Sequence, residues 1–339
     1  MVVRRLKRVL MFGVVAALVL AGSALGGYWY VVTMGTQALV AGDDPHRVRL
    51  ERGESMATLA SRLANKGLIS EPWRLRLYGR ITGDAHRLQA GEYRVEPGMT
   101  VGALMAAMAR GDVITYQITV IEGWRFERML DALHAHDAIE PTLAGASAHE
   151  VMASIGAAGE HPEGRFLPQT YQFPRGTTDK ALLRRAYTAM EKVLSDAWDQ
   201  RQEQLPLDSP YEALILASII EKETAVPEER RRIAGVFVRR LNRGMRLQTD
   251  PTVIYGMGER YDGNITRRDL RRDTPYNTYT RGGLPPTPIA LPGEASVRAA
   301  VDPEEGKALY FVAKGDKKHH HFSETLQEHN RAVQRYQRQ

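Results

Sequence analysis

Residues Val9 to Val32 run for 24 positions without a charge. As a helix this stretch spans roughly 36 Å, more than the ~30 Å hydrocarbon core of a bilayer. Arg4, Arg5, Lys7 and Arg8 precede it, Tyr28, Trp29 and Tyr30 close it, and Asp43 and Asp44 follow. Basic residues on one side and interfacial aromatics on the other place the N-terminus in the cytoplasm and everything after about residue 35 outside, as the positive-inside rule requires. A cleaved signal peptide is the competing reading. The run is longer than a usual signal core, and Ala21 to Gly27 offers a weak cleavage site, so an uncleaved anchor is favoured. No later stretch has the length to span again.

The exported remainder has an ordinary globular composition, 43% hydrophobic and 25% charged over the whole chain. Its length allows two or three domains. The net charge is +6, of which the four N-terminal basic residues supply four. The small balance gives no case for nucleic-acid binding. Cysteine is absent, which removes disulfides, thiolate metal sites and thiol nucleophiles.

Residues 45–145 alternate strand, turn, capped helix and glycine. His46 to Leu50 alternates as a strand, and Ser55 caps a helix carrying Met56, Leu59, Ala60 and Leu63. Trp73 to Ile81 reads as a second helix and Leu88 to Val95 as a strand. Thr100 caps a helix ended by Gly111, Ile114 to Ile121 is a strand, and Phe126 to His134 a helix. The first part resembles a LysM-like module; a spacer that packs on its neighbour is the plain alternative. Beyond it, Ser147 can cap a helix, and Pro162 to Tyr171 reads as an ordered loop. Thr178 caps a long helix from Lys180 to about Gln204.

Leu214 to Glu223 is the densest apolar helix of the exported part. Apolar side chains cover every face, so it reads as buried. Glu221 falls on the face of Leu214, Ala217 and Ser218. A carboxylate at the end of a buried helix is costly unless paired, solvated by a cleft or protonated. Taken alone, the plainer reading is that Glu221 marks where the helix surfaces. Glu223 lies about 200° round the helix from it, so the two cannot face one cleft. Further on, Gln248 to Thr252, Tyr276 to Tyr279 and Gly282 to Ile289 read as loops rich in amide, hydroxyl and aromatic groups, the composition expected around a neutral, hydroxyl-rich ligand; ordinary turn chemistry is the alternative. Ala308 to Ala313 reads as a strand, followed by a Lys/Gly/Asp turn. His319, His320 and His321 alternate faces on an extended chain, so they read as non-metal. Phosphate loops, zinc-protease helices and nucleophile elbows do not occur in the sequence.

Several motifs together resemble the MltG/YceG-type endolytic murein transglycosylases over nearly the whole length. They are Glu122-Gly123, Glu163-Gly164 with Leu167 to Tyr171, Ala217 to Glu223, and Met245 to Gly256. Tyr276 to Tyr279, Gly283 to Pro286, Pro288-Ile289, His321-Phe322 and His329-Asn330 complete the set. Arg165-Phe166 and Gln169 depart from the more usual choices in their loop. The resemblance implies an α+β protein with a single N-terminal transmembrane helix, a LysM-like small α/β subdomain and a larger mixed α/β catalytic domain. The corresponding layout is a cytoplasmic tail over 1–8, an anchor over 9–32, a membrane-proximal region over 33–145 and a catalytic region over 146–339.

The resemblance further implies an enzyme of the lyase class in the cell inner membrane, with its catalytic domain in the periplasm. It would cleave the MurNAc–GlcNAc bond in nascent glycan strands, form 1,6-anhydroMurNAc and end elongation. Peptidoglycan synthases are the implied protein partners, and no cofactor or metal is expected. The family's catalytic glutamate maps onto Glu221, with Glu223 as rival; protonation before the reaction is required, and desolvation by the apolar helix favours it. Gln248, Asp250, Asn277 and Tyr279 are the expected substrate-binding residues. A non-catalytic peptidoglycan-binding scaffold, and a pyridoxal-phosphate lyase with Lys222 as Schiff base, are the alternatives from other classes.

Overall fold

A computed structural model of the chain describes residues 2–39, 44–315 and 318–337. Asp43, expected beyond the anchor, and Asp316, expected in the last turn, lie outside the described residues. The N-terminal run is helical: α1 covers Val2–Val32. Among the described residues it supplies the one helix long and apolar enough to cross a membrane. Its side chains from Leu10 to Tyr30 are largely exposed, whereas Val31 and the following Met34 are buried. The end of α1 therefore runs directly into a folded core.

The chain divides into two compact units, 1–116 with 173–176, and 117–172 with 177–339. In the first unit α1 is followed by β1 (His46–Leu50), α2 (Met56–Asn65), α3 (Pro72–Thr82), β2 (Gly91–Val95) and α4 (Val101–Arg110). β1 and β2 pair antiparallel, with Val48 opposite Tyr93 and Leu50 opposite Gly91. The expected caps form: Ser55 accepts from the Thr58 N–H and Thr100 from the Ala103 N–H, each satisfying a donor that the first helical turn leaves open. Val48, Leu59, Leu63, Leu75, Tyr93, Leu104 and Met108 fill one core. The chain leaves this unit along β3 (Thr115–Thr119).

The second unit is mainly helical. In order it contains α5 (Phe126–His134), β4 (Ile139–Glu140), α6 (Ala148–Ile155), the first three residues of β5 (Thr170–Pro174), β6 (Thr177–Thr178) and α7 (Asp179–Asp199). Then come α8 (Pro210–Glu223), α9 (Pro227–Asn242), α10 (Asp250–Met257), α11 (Arg267–Arg271) and α12 (Glu294–Val301). β7 (Tyr310–Ala313), β8 (His320–Ser323) and α13 (Leu326–Gln337) finish the chain. β4 and β6 pair parallel, and β7 and β8 pair antiparallel.

Ser147 forms a capping box with Glu150 at the start of α6. α7 stops short of the expected Gln204, which takes a left-handed φ of 63° that a helix cannot absorb. α8 is buried on all sides from Ala213 to Ile220, as its composition requires, and packs among α7, α9 and α12. One segment read as a loop is helical: Asp250 and Pro251 open α10. Proline at a first helical turn loses no hydrogen bond, because that N–H has no partner there in any case.

Candidate functional site

The end of α8 carries two glutamates, and they serve two different surroundings. Ser209 caps the helix start, and Ser218 in its middle accepts the Ile289 N–H at 3.0 Å. That bond fixes the segment before α12 against α8.

On one side, Glu221 Oε2 accepts the Gly293 N–H at 3.0 Å, and its Oε1 lies 3.7 Å from Arg230 Nη2. The same Arg230 nitrogen reaches Glu122 Oε2 at 3.2 Å. Two carboxylates thus share one guanidinium. Burial and then the Glu221 charge push the Glu122 carboxyl up, and Arg230 opposes them. The segment carrying Glu122 is pinned by Gly123 N–H to Leu291 O at 2.8 Å and Leu291 N–H to Trp124 O at 2.7 Å. A side chain on Gly293 would come within 2.0 Å of Glu122 Oε1, so the close approach depends on glycine. Lys222, exposed between the two glutamates, donates to Gly123 O at 3.3 Å.

On the other side, Glu223 lines a cavity of about 500 Å³ together with Arg240, Gln248, Asp250, Tyr279 and His320. The Thr249 hydroxyl donates to Glu223 Oε1. Thr249 is itself held by its N–H to Thr278 Oγ1 at 3.1 Å. Gln248 enters this turn with a left-handed φ of 51°, a costly conformation for a residue with a side chain. Tyr279 donates to Asp250 Oδ1 at 2.6 Å. Burial pushes the Glu223 carboxyl up and the Asp250 charge adds to this; Thr249, His320 and Arg240 pull it back. Burial also pushes the Tyr279 hydroxyl up.

His320 is clamped from α9. Glu229 accepts its backbone N–H at 2.8 Å and contacts its Nδ1 at 2.7 Å. A carboxylate can only accept, so Nδ1 carries the hydrogen and Nε2 is the ring atom left for the cavity. Among the described residues no three His, Asp or Glu side chains come together in a group that could hold a metal ion.

Three of the four expected substrate residues, Gln248, Asp250 and Tyr279, are therefore gathered around Glu223. Glu221 lies among Glu122, Arg230 and Gly293. Asn277 does not line the cavity. It is buried, its Nδ2 donates to the carbonyls of Asp269, Leu270 and Arg272, and its Oδ1 accepts the Tyr279 N–H at 2.9 Å. It holds the turn that presents Tyr279. Sequence reasoning missed Thr249, Arg240 and the Glu229–His320 pair. The available signal for His320 was strand alternation, which puts it on the face opposite His321.

Glu163 is a second buried carboxyl. It lines a separate cavity of about 600 Å³ with Phe126, His161 and Tyr255. Its Oε1 accepts the Phe126 N–H at 3.0 Å. Burial pushes it up from 4.5 to about 7, against the pull of Phe126, Tyr255 and Arg125. In the unfolded chain it ionises near its ordinary value, so between those two values only the folded state holds the proton. Stability should fall as pH rises through this window, by about 3 kcal/mol in all. Glu163→Gln removes that dependence. Denaturant titrations should find the variant gaining on the parent between pH 5 and pH 8, and parallel pH profiles would contradict this.

A family model described as the YceG-like family matches residues 48–335. The chain belongs to this family. Its curated relatives include the endolytic murein transglycosylase of Bacillus subtilis (strain 168), 31% identical over 85% of this chain and 84% of that protein. The endolytic murein transglycosylase of Streptococcus pneumoniae serotype 2 is 26% identical over 96% of this chain, which spans 64% of that longer protein. Among solved structures, the crystal structure of a yceG-like protein from Listeria monocytogenes superposes with a TM-score of 0.52. It is 29% identical and covers 86% of this chain and 99% of that one. The residues of both cavities and of the Glu122–Glu221 cluster fall inside the span matched by the family.

Proposed function

We propose that this YceG-like protein is a membrane-anchored endolytic murein transglycosylase with Glu223 as its general acid. It cleaves the MurNAc–GlcNAc bond inside nascent glycan strands and closes 1,6-anhydroMurNAc, which ends strand elongation. The observation that carries the reading is Glu223: a carboxyl held above its ordinary range, on a rigid helix end, opening into a cavity lined by amide, phenol and imidazole groups.

One carboxyl suffices for this chemistry. Protonated Glu223 gives its proton to the GlcNAc oxygen as the glycosidic bond breaks, leaving an oxocarbenium-like centre. The resulting carboxylate takes the proton of the MurNAc 6-hydroxyl while O6 bonds to C1. Glu223 ends as it began, and no water enters. Thr249, His320 and Arg240 favour the carboxylate in the interval between the two transfers. Asp250, paired with Tyr279, adds negative potential beside the developing positive charge. Gln248 offers an amide to hydroxyl or acetamido groups.

Glu221, onto which the family motif maps, is the second reading, favoured by the neighbouring Glu122 carboxyl with its raised proton affinity. The proposed layout keeps residues 146–339 as the catalytic region and 9–32 as an inner-membrane anchor with the body in the periplasm, within reach of peptidoglycan synthases. The strand–helix–helix–strand order of β1, α2, α3 and β2 supports a LysM-like module.

Mass spectrometry of digests of nascent, uncrosslinked glycan tests the reaction. Anhydro ends are expected; reducing MurNAc ends would make the enzyme a hydrolase. The acid also has a pH signature. Activity should fall as pH rises through the Glu223 pKa, because the protonated form is lost. Asp250→Asn removes a like charge that raises that pKa, so the alkaline limb of the rate profile should move to lower pH. An unmoved limb would remove Asp250 from the site.

A further inference from the structure

Outside α1, the large exposed apolar side chains of the described residues are few, and three lie on one helix: Trp73 at 46%, Leu77 at 40% and Ile81 at 39% exposure. They recur every fourth residue of α3, so they form one stripe. Arg76 and Arg80, also exposed, lie beside it. The opposite face of α3 carries Leu75 and Gly79 into the core of the first unit. An exposed stripe with basic flanks is the pattern of a helix lying in a membrane interface.

The stripe continues directly from the anchor. Trp73 stacks on Tyr30 of α1, with ring centroids 6.2 Å apart. The Tyr30 hydroxyl donates to Glu71 at 2.8 Å, and the Arg74 guanidinium lies 4.0 Å above the Tyr30 ring. Tyr30 belongs to the aromatic cluster that ends the apolar run, the level at which a bilayer gives way to headgroups. A helix fixed to Tyr30 by its first turn is fixed at that level.

We propose that α3 lies in the outer headgroup layer of the membrane that α1 spans. Trp73, Leu77 and Ile81 enter the acyl boundary, and Arg76 and Arg80 meet lipid phosphates. The first unit is then held flat on the bilayer surface rather than hanging from a single span. The inference rests on α1 being a membrane anchor and is independent of the reaction.

The chain has no cysteine, so single spin labels can be placed in the full-length protein in vesicles of phosphatidylethanolamine and phosphatidylglycerol. Labels at Leu77→Cys and Ile81→Cys should gain collisions with oxygen and lose them with a water-soluble nickel chelate, approaching the Leu18→Cys label in α1. An Ile121→Cys label, at an exposed apolar residue of the other unit, should stay open to the chelate. A Leu18 label in lipid with Leu77 and Ile81 labels in water would overturn the proposal for α3 alone. A Leu18 label in water would overturn it together with the anchor. Loss of collisions with both reagents, or dipolar broadening between labels, would mean that protein covers the stripe, and would overturn it as well. Reversing the flanking charges, Arg76→Glu with Arg80→Glu, should return chelate collisions at Leu77; no change would refute the phosphate contacts.

Discussion

Glu223→Gln is expected to lower anhydro-product formation by about 10²–10⁴-fold, the range a positioned general acid contributes. Glycan binding should persist. Glutamine keeps the shape of the side chain and an oxygen that can still accept from the Thr249 hydroxyl, so the cavity wall is retained. The proton is what disappears. Initial rates on nascent glycan, measured beside binding to the same strands, separate the two effects. A variant that turns over within a few-fold of the parent would remove Glu223 from the chemistry.

The largest stability effect is expected at Asp179. This carboxylate is fully buried at the start of α7. It accepts from Thr142 N–H at 3.0 Å, the Thr142 hydroxyl at 2.6 Å, Leu143 N–H at 2.9 Å and Lys180 N–H at 2.7 Å. His134 Nε2 of α5 stands 3.1 Å away. One side chain thus ties α5, the 142–143 turn and α7 together. Asp179→Ala leaves these donors buried without an acceptor, and losing one partner of a buried charged network costs about 3–5 kcal/mol. Against a typical domain stability of about 5–15 kcal/mol, that brings the second unit close to unfolding. Asp179→Asn, which keeps one oxygen, should lose less. Denaturant midpoints of the two variants check this; a loss below about 1 kcal/mol for alanine would contradict the network's role.

Local pattern carried the elements well and the site only in part. The caps at Ser55, Thr100, Ser147 and Thr178 were legible because capping is a contact between residues three apart. The burial of α8 was legible because its composition is apolar on every face. The opposition of Glu221 and Glu223 followed from helical geometry alone. Which of the two opens into the cavity did not. That depends on α10, on the turn at Tyr279 and on His320 in β8, which reach α8 only through tertiary packing.

Asn277 looked like a sugar ligand because an amide in a polar loop has no local signature that separates binding from bracing. In the fold its side-chain hydrogen bonds go to the end of α11 and to the turn that follows it. Asp250 and Pro251 read as a turn for a similar reason: Asp-Pro serves equally as loop and as helix start, and the apolar Val253 packing inward decides between them. Asp179 gave no sequence signal, since a first-turn aspartate is common and only the arrival of Thr142 and His134 makes it a hub.

Parallel digestion of nascent glycan by Glu223→Gln and Glu221→Gln proteins, with anhydro ends counted by mass spectrometry, tests the assignment of the acid most directly. Anhydro ends should vanish with Glu223→Gln and persist with Glu221→Gln, whose one amide oxygen can still accept the Gly293 N–H. Loss with Glu221→Gln and retention with Glu223→Gln would contradict the assignment and move the chemistry to the Glu122–Arg230 side of α8.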